Sequence, residues 1–334
     1  MADLHSVASQ LVESGRGILA ADESVKTMST RLTAEGIEVS KQARRDYREL
    51  LLTAPGLAET ITGVILSDET FNDSLADGQP FPQACRDRGL LPGIKVDTGT
   101  SPLPKGNGAT ITEGLDGLGG RLADYAAKGA SFAKWRAVID VQNTSEYARD
   151  ANAHALARYA ALCQDNGIVP VVEPEVMCDG GHDLDACAEV TAATLVAVFD
   201  QLDRQRVDPS GMVLKPNMVT PGLKAEQVPA ETVASATIQV LSSSVSTDVP
   251  GITFLSGGHS NETACDYLGA INDHAGSAPW SLSYSFGRAL VSDALHTWHG
   301  DPGQTEAAQV ALLANCRRAS AAGRRRSMAS GATN

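Results

Sequence analysis

The sequence lacks long apolar segments and export signals. No run of eighteen apolar residues occurs among its 334 residues, although about that many are needed to cross a lipid bilayer. The N-terminal segment, Met1 to Ser6, has neither the basic nor the apolar region of a secretory signal peptide. We therefore expect a cytoplasmic protein.

Cysteine patterns of the kind that bind zinc or form disulfide frameworks are also lacking. The six cysteines include no C-x-x-C pair and no zinc-ligand spacing. In a protein expected in the cytoplasm, unpaired cysteines of this kind are free thiols. We expect no disulfides.

Positive charge is in deficit, with 27 Lys and Arg residues against 40 Asp and Glu residues and a net charge of -13. Non-specific binding to nucleic acids and attachment to anionic membranes both need basic surface, so we exclude both. The basic run Arg324–Arg326, with Arg317 and Arg318, has no interleaved aromatic residues and is interpreted as solvated charge. An anionic substrate would need local positive charge.

What the chain does contain is an alternation of short apolar runs with amphipathic helical stretches. Helical spacing of apolar residues is clearest in 145–166, 184–206 and 230–244. The apolar runs predict eight buried strands: Gly17–Asp22, Gly63–Ser67, Gly93–Asp97, Phe132–Arg136, Val169–Glu175, Gly211–Lys215, Gly251–Ser256 and Trp280–Ser285.

Eight strand and helix units predict a closed (β/α)8 TIM barrel. An open doubly wound sheet also alternates in this way, but no G-x-G-x-x-G or G-x-x-x-x-G-K-[ST] motif follows a predicted strand. We expect one domain over residues 1–334, with an extra helix near Ser6 to Ser14, a loop from Ser101 to Gly117, and a C-terminal helix followed by a flexible tail over about 317–334.

Charged side chains cluster near the ends of the predicted strands. Residues two apart in a strand point to the same face, which pairs Lys95 with Asp97, Lys134 with Arg136, and Glu173 with Glu175. In a barrel the carboxyl ends of the strands form the mouth where active sites are built. A set of structural ion pairs would give the same pattern. An apolar filling, however, stabilises a barrel without the desolvation cost of buried charges. We therefore predict an active site, to which the strand ends at Asp22, Lys215, Ser256 and Ser285 also contribute.

Two lysines in one cluster indicate amine chemistry. Lys215 interrupts an apolar run just before Pro216, where a strand ends. A cation such as Lys134 disfavours the charged form of Lys215, and a neutral amine can attack a ketone to form a Schiff base. A carboxylate is then needed to take a proton during carbon–carbon cleavage, for which Asp22, Glu173 and Glu175 are available.

The paired glutamates leave their roles open. One could be held neutral to donate a proton while the other stays ionised, and the sequence does not say which. Glu175 either takes part in this chemistry or clamps Lys134 or Lys215. Glu173 is the stronger candidate for moving protons.

A phosphate site is predicted after the last two strands. Ser256-Gly257-Gly258 turns into a helix whose free N–H groups favour an anion, and Gly287-Arg288 follows the eighth strand. A Ser-Gly-Gly sequence alone is more often a simple turn, but loops after strands seven and eight are the usual phosphate site of these barrels.

Taken together, the chain resembles the class I fructose-bisphosphate aldolases. The resemblance covers nearly the whole chain in family order, in the segments Gly17–Ser24, Gly93–Asp97, Phe132–Arg136, Val171–Glu175, Leu214–Gly222, Phe254–Gly258 and Phe286–Leu290. It implies reversible cleavage of fructose 1,6-bisphosphate to dihydroxyacetone phosphate and glyceraldehyde 3-phosphate, no metal or other cofactor, and a homotetramer.

The resemblance also implies roles for individual residues. Lys215 is the Schiff-base lysine, Glu173 the acid and base for carbinolamine formation and dehydration, and Asp22 the carboxylate that assists cleavage. Lys134 and Glu175 position and polarise the reacting groups. The remaining contacts are to phosphates and hydroxyls: Ser256, Gly257, Gly258, Gly287 and Arg288 for the dihydroxyacetone half, and Lys95, Arg136 and Arg31 for the far hydroxyls and the second phosphate.

Departures from the family pattern affect the second phosphate site and the tail. Thr27 and Thr30 precede Arg31 where animal members usually have serine and lysine, which predicts a weaker second phosphate contact. His259 and Thr98 replace a frequent glutamine and lysine, and we interpret both as surface changes. The last tyrosine is Tyr284, so we expect no help from a tail tyrosine.

Two other functions compete with this one. A metal-dependent aldolase would need clustered ligands, yet the seven histidines fall mostly in predicted helices or loops, away from the strand ends. A silent sugar-phosphate-binding or scaffold barrel would lack a catalytic group, but Asp22, Lys134, Glu173 and Lys215 are all present.

Overall fold

The structure is a computed structural model that describes residues 3–324. Eight of its strands close into a parallel barrel in the order β1-β10-β9-β8-β7-β6-β3-β2, and β4 pairs with β5 in a separate hairpin. The strands are β1 (Gly17–Ala21), β2 (Ile61–Leu66), β3 (Leu91–Lys95), β4 (Gly99–Pro102), β5 (Thr110–Glu113), β6 (Phe132–Ile139), β7 (Val169–Val176), β8 (Val213–Leu214), β9 (Gly251–Phe254) and β10 (Ser281–Phe286).

Helices surround the barrel and follow its strands. They are α1 (Leu4–Leu11), α2 (Val25–Ala34), α3 (Lys41–Leu52), α4 (Asp68–Phe71), α5 (Phe81–Asp87), α6 (Leu118–Ala127), α7 (Glu146–Asp165), α8 (Leu184–Arg204), α9 (Ala230–Ser244), α10 (Asn261–His274), α11 (Arg288–Trp298) and α12 (Thr305–Ala322), with short 3-10 turns at Leu57–Glu59, Pro209–Gly211 and Pro302–Gln304. The predicted TIM barrel is confirmed, and the predicted N-terminal helix is α1.

The segment 101–117 differs from the predicted loop. Part of it forms the antiparallel hairpin of β4 and β5, in register from Gly99 opposite Glu113 to Pro102 opposite Thr110. Three successive β-branched residues in β5, Thr110 to Thr112, favour a strand. The connecting turn places Lys105 and Asn107 at positive φ, which closes the hairpin.

The C-terminal end also differs from its prediction. Helix α12 continues to Ala322 and includes Arg317 and Arg318, so the predicted tail boundary is wrong for 317–322. Cys316 and Ala319 are fully buried where α12 packs against α10 and α11, and this apolar face keeps the segment helical. The rest of the predicted tail, 325–334, lies outside the described residues.

The barrel interior is apolar at the end where the strands begin. Ile18, Phe132 and Val169 are fully buried there and pack with Ala8 and Leu11 of α1, which covers this end. This packing leaves the opposite end of the barrel for the charged side chains of the interior. The carboxyl ends of the strands therefore carry the charged residues.

Close packing inside the barrel leaves no room for a side chain at Gly93 of β3. A Cβ at Gly93 would lie 2.2 Å from Cζ of Phe132, whereas one at Gly120 in α6 would meet nothing within 4 Å. We expect Gly93→Ala to lower the free energy of unfolding by about 1–3 kcal/mol through overpacking. Gly120→Ala should raise it by about 0.5–1 kcal/mol because alanine is the better helix former. Urea unfolding of the two variants tests this, and equal stabilities would contradict it.

Candidate active site

The carboxyl ends of the barrel strands surround a cavity of about 820 Å³. It collects side chains from distant parts of the sequence, as a barrel mouth does. All thirteen residues to which the family resemblance gives roles line it: Asp22, Arg31, Lys95, Lys134, Arg136, Glu173, Glu175, Lys215, Ser256, Gly257, Gly258, Gly287 and Arg288.

Four of these side chains form a continuous chain of contacts at the floor of the cavity. Lys215 Nζ lies 3.1 Å from Glu173 Oε1, and Lys134 Nζ lies 3.2 Å from Glu173 Oε2 and 2.8 Å from Asp22 Oδ2. All four residues are buried. Two carboxylates and two amines thus alternate within hydrogen-bond or ion-pair distance. Because the cluster is buried, the electrostatic interactions between them are stronger than in water.

The backbone of β8 sets the position of Lys215. This strand has only two residues in the sheet, but the N–H of Lys215 still donates to the carbonyl of Val172 at 2.8 Å. The adjoining Pro216 has no N–H to continue the ladder, and its carbonyl accepts from Leu255 at 3.1 Å. Lys215 is therefore fixed at the point where the strand leaves the sheet.

Attraction within the cluster sets the charges of its members. Burial raises the pKa of Asp22, but the cations Lys134 and Lys215 outweigh it and bring that pKa to about 2. Burial likewise raises the pKa of Glu173, and the same two lysines with Arg136 lower it below its usual range. Burial lowers the pKa of Lys134, yet Asp22 and Glu173 hold it above the usual range. Both carboxylates are therefore ionised and Lys134 is charged in the unliganded site.

Glu175 does not contact either lysine. Its carboxylate binds the guanidinium of Arg136 instead, which excludes the clamp on Lys134 or Lys215, one of the two alternatives that the sequence left open. Glu175 lies two residues beyond Glu173 on β7, about 6.6 Å farther along the strand, and the lysine amines lie at the level of Glu173. The ion pair of Glu175 and Arg136 thus forms part of the cavity wall, nearer the carboxyl end of the barrel than the cluster.

Lys95 is held by its neighbour at the end of β3. Its Nζ donates to Asp97 Oδ1 at 2.6 Å and to the Asp97 carbonyl at 2.7 Å. Asp97 is in turn fixed by the N–H of Gly99, 3.2 Å from Oδ1. The cation predicted to reach the far end of a substrate is thus engaged with a rigid carboxylate.

The predicted phosphate loop lies between β9 and α10. Gly257 and Gly258 have φ values of +57° and +91°, which glycine adopts at little cost, and Ser260 caps α10 by accepting from the N–H of Thr263. A Cβ at Gly258 would lie 3.4 Å from Nη2 of Arg288, so the guanidinium lies beside the loop. This combination of turn, serine and guanidinium is suited to a phosphate.

His259, the next residue of this loop, is buried rather than on the surface as predicted. It is 8% exposed and packs edge-on against Tyr267 with ring centroids 5.3 Å apart. Burial lowers the pKa of His259. The loop therefore rests on an aromatic contact that the sequence pattern did not reveal, whereas Thr98 is exposed, as predicted.

Comparison with known proteins supplies the family. The family model described as fructose-bisphosphate aldolase class-I matches residues 3–333. The chain belongs to the class I fructose-bisphosphate aldolase family. Its activity is that of a lyase that cleaves fructose 1,6-bisphosphate reversibly.

Individual relatives agree with this membership. The chain is 48% identical over 305 residues to fructose-bisphosphate aldolase 6, cytosolic, of Arabidopsis thaliana, covering 91% of this chain and 85% of that protein. It is 49% identical over 301 residues to a probable class 1 aldolase of Xylella fastidiosa, covering 89% and 90%. The crystal structure of the Plasmodium falciparum aldolase, in complex with TRAP and a small-molecule inhibitor, superposes with a TM-score of 0.93 at 39% identity and covers 97% of this chain and 95% of that one.

Helix α2 brings Lys26 to this site, a residue that the sequence pattern did not indicate, together with Thr27 and Thr30, which were connected with the second phosphate only as departures from the family pattern. Lys26, Thr27 and Thr30 line the cavity beside Arg31. The sequence signal for these residues is the N-cap of α2, where Ser24 accepts a hydrogen bond from the N–H of Thr27. An N-cap serine directly after β1 indicates that a helix begins at the barrel mouth. Arg31 itself binds Glu23, which also binds the buried Arg48.

Two kinds of feature were not found among residues 3–324. No group of three or more His, Cys, Asp or Glu side chains in this range has an arrangement that could hold a metal ion. No helix in the same range has both the length and the apolar character needed to cross a membrane.

The low pKa of Asp22 has a consequence for acid stability. A carboxyl whose pKa falls from 3.8 to about 2 on folding contributes about 2 kcal/mol of stability that is present above pH 4 and is lost as the pH falls through 2. We expect Asp22→Asn to be less stable than the wild type at pH 6, with the gap narrowing by about 1 kcal/mol at pH 3. Urea unfolding at both pH values measures this, and a gap of constant size would contradict the pairing.

Proposed function

We propose that Lys215 is the amine that forms the Schiff base during cleavage of fructose 1,6-bisphosphate. The observation that carries the proposal is the buried contact of 3.1 Å between Lys215 Nζ and Glu173 Oε1. A nucleophilic lysine must first lose a proton, and Glu173 is within transfer distance to take it. Attack of the neutral amine on the ketone carbon then gives a carbinolamine.

Glu173 would next return that proton to the hydroxyl of the carbinolamine. The hydroxyl leaves as water, and the carbon–nitrogen double bond of the iminium forms. Lys134 stays charged beside the other oxygen of Glu173, where it stabilises the negative charge that develops on the ketone oxygen during attack. One carboxylate thus acts first as base and then as acid. The contact between Lys215 and Glu173 supports Glu173 over Glu175 in this role.

Asp22 would assist the cleavage itself. It takes the proton from the hydroxyl next to the breaking bond, an aldehyde forms there, and the electron pair of the carbon–carbon bond moves into the iminium to give an enamine. The substrate brings two phosphate groups, whose negative charge raises the pKa of nearby carboxyls and so makes Asp22 a better base in the complex than in the free enzyme. Protonation of the enamine and hydrolysis of the iminium release dihydroxyacetone phosphate and restore Lys215.

The substrate would lie between two polar regions of the cavity. Ser256, the Gly257 and Gly258 turn, Gly287 and Arg288 hold the phosphate of the dihydroxyacetone half. Lys95, Arg136 and Arg31 face the far hydroxyls and the second phosphate, as the family resemblance implies. Glu175 orients Arg136 through their ion pair.

We further propose a metal-independent, cytoplasmic homotetramer. Metal independence rests on family membership and on the amine cluster that takes the place of a Lewis acid. The cytoplasmic location rests on relatives named cytosolic or cytoplasmic, such as the Spinacia oleracea isozyme at 46% identity. Light scattering would test the tetramer, and a monomer mass would reject it.

Borohydride trapping tests the covalent mechanism directly. The protein is incubated with dihydroxyacetone phosphate and a chelator, reduced, digested and mapped by mass spectrometry. We expect a reduced adduct on Lys215. An adduct on Lys134 or Lys95 would reject Lys215 as the nucleophile, and no adduct in folded protein that binds the ligand would reject the Schiff base.

A further inference from the structure

The cavity contains more positive than negative side chains, and the excess positive charge lies at two of them. Seven cationic side chains line it against five carboxylates. Most of the cations are bound to those carboxylates, in the pairs Lys134 with Asp22 and Glu173, Lys215 with Glu173, Lys95 with Asp97, Arg136 with Glu175 and Arg31 with Glu23. Within residues 3–324, only Lys26 and Arg288 among the seven have no carboxylate within ion-pair distance.

The substrate of this family also carries two charged groups that need partners. Arg288 lies beside the glycine turn that we assign to the first phosphate. We propose that Lys26 binds the second phosphate and thereby determines the preference for two-phosphate over one-phosphate sugars. This inference rests on the proposed function.

The location of Lys26 in its helix supports an anionic ligand. It lies in the first turn of α2, which contains no acidic residue. A cation there is disfavoured by the positive end of the helix, and an anion bound beside it removes that cost. The hydroxyls of Ser24 and Thr27, 3.0 Å apart in the same turn, also line the cavity and can donate to phosphate oxygens.

The other cations near this wall are already engaged. Arg31 shares Glu23 with Arg48, and the Glu23 side chain is only 9% exposed, so withdrawing Arg31 would remove one partner from a buried carboxylate. Lys95 would have to give up Asp97. Lys26 is exposed and has no ion pair to break, so it binds an incoming phosphate without such a cost.

Steady-state kinetics with a two-phosphate and a one-phosphate substrate test the proposal. We expect Lys26→Met to lower kcat/KM for fructose 1,6-bisphosphate about tenfold, the size of one charge-assisted hydrogen bond, mainly through KM. Cleavage of fructose 1-phosphate should not change because it lacks the second phosphate. Lys26→Arg should keep most of the preference, since it keeps the charge.

A relocation variant separates charge placement from a structural effect. Thr30 is one helical turn after Lys26, on the same face of α2, and also lines the cavity. We expect the double variant Lys26→Thr/Thr30→Lys to recover the preference that Lys26→Met loses. Lys41→Met is the matched control, because Lys41 is an exposed lysine on α3 bound to Asp73 at 3.0 Å; both substrates should be cleaved as by the wild type.

Each remaining outcome overturns the proposal. If Lys26→Met leaves both substrates unchanged, Lys26 is a solvated surface lysine. If it slows both equally, its role is not specific to the second phosphate. If Arg31→Met removes the preference and Lys26→Met does not, the second phosphate belongs to Arg31. None of these results affects the borohydride adduct on Lys215, so failure of this inference is distinguishable from failure of the proposed function.

Discussion

Lys215→Met should abolish turnover and leave the barrel folded. We expect kcat for fructose 1,6-bisphosphate to fall by about 10⁵-fold or more, because no other group replaces a covalent nucleophile. Methionine fills the space of the lysine stem, and Glu173 keeps Lys134 as its partner. Activity assays with circular dichroism and urea unfolding of the purified variant measure both parts of the expectation.

The control for this variant is Lys224→Met. Lys224 is exposed and lies outside the residues that line the cavity, so its loss removes a lysine without touching the cluster. We expect wild-type turnover and wild-type trapping on Lys215. Substantial turnover by folded Lys215→Met would mean that another amine carries the reaction.

Lys134→Met should damage both activity and stability. Lys134 alone contacts both Asp22 and Glu173, so its removal leaves Asp22 without an ion pair and Glu173 with Lys215 as its remaining ion-pair partner. Breaking a buried ion pair in this way costs about 3–5 kcal/mol, and loss of the cation that we propose to polarise the reacting oxygen should lower kcat by about 10²–10⁴-fold. Urea unfolding and steady-state kinetics measure the two effects.

The pH dependence and a double variant identify the cause of the lost stability. Without Lys134 the pKa of Asp22 rises, so proton uptake relieves the repulsion and the stability deficit should shrink as the pH falls from 7 toward 5. Lys134→Met/Asp22→Asn should recover much of the stability at pH 7 but none of the activity. A deficit that persists in the double variant would point to lost packing instead of lost charge balance.

The barrel could be predicted because each strand carries its own apolar signal. The strands of parallel barrels are buried on both faces and read as continuous apolar runs. That criterion fails at strand ends, where charges begin. β6 and β7 extend to Ile139 and Val176, beyond the predicted ends, because Arg136 and Glu173 occupy paired register positions inside the sheet.

The members of the site were predictable, but their pairing was not. Strand periodicity determines which face a side chain points to, and this was enough to bring Lys134, Glu173 and Lys215 together. Partner choice depends on distances between strands that are far apart in sequence. For this reason the sequence left open whether Glu175 contacts the lysines, and the structure shows that it binds Arg136. Lys26 was missed because it lies on a helix, outside the strand-end pattern.

The seam between β1 and β10 joins the two ends of the barrel, with Ile18 opposite Ser285. During synthesis the chain emerges N-terminus first. The edge of β1 that pairs with β10 therefore stays unpaired until almost the whole protein has left the ribosome. A nascent chain that stops before Ser281 already contains Asp22, Lys134, Glu173 and Lys215, yet the edges of β1 and β9 that pair with β10 have no partner. Unpaired strand edges promote association between chains. We expect such incomplete chains to aggregate more readily than the complete protein.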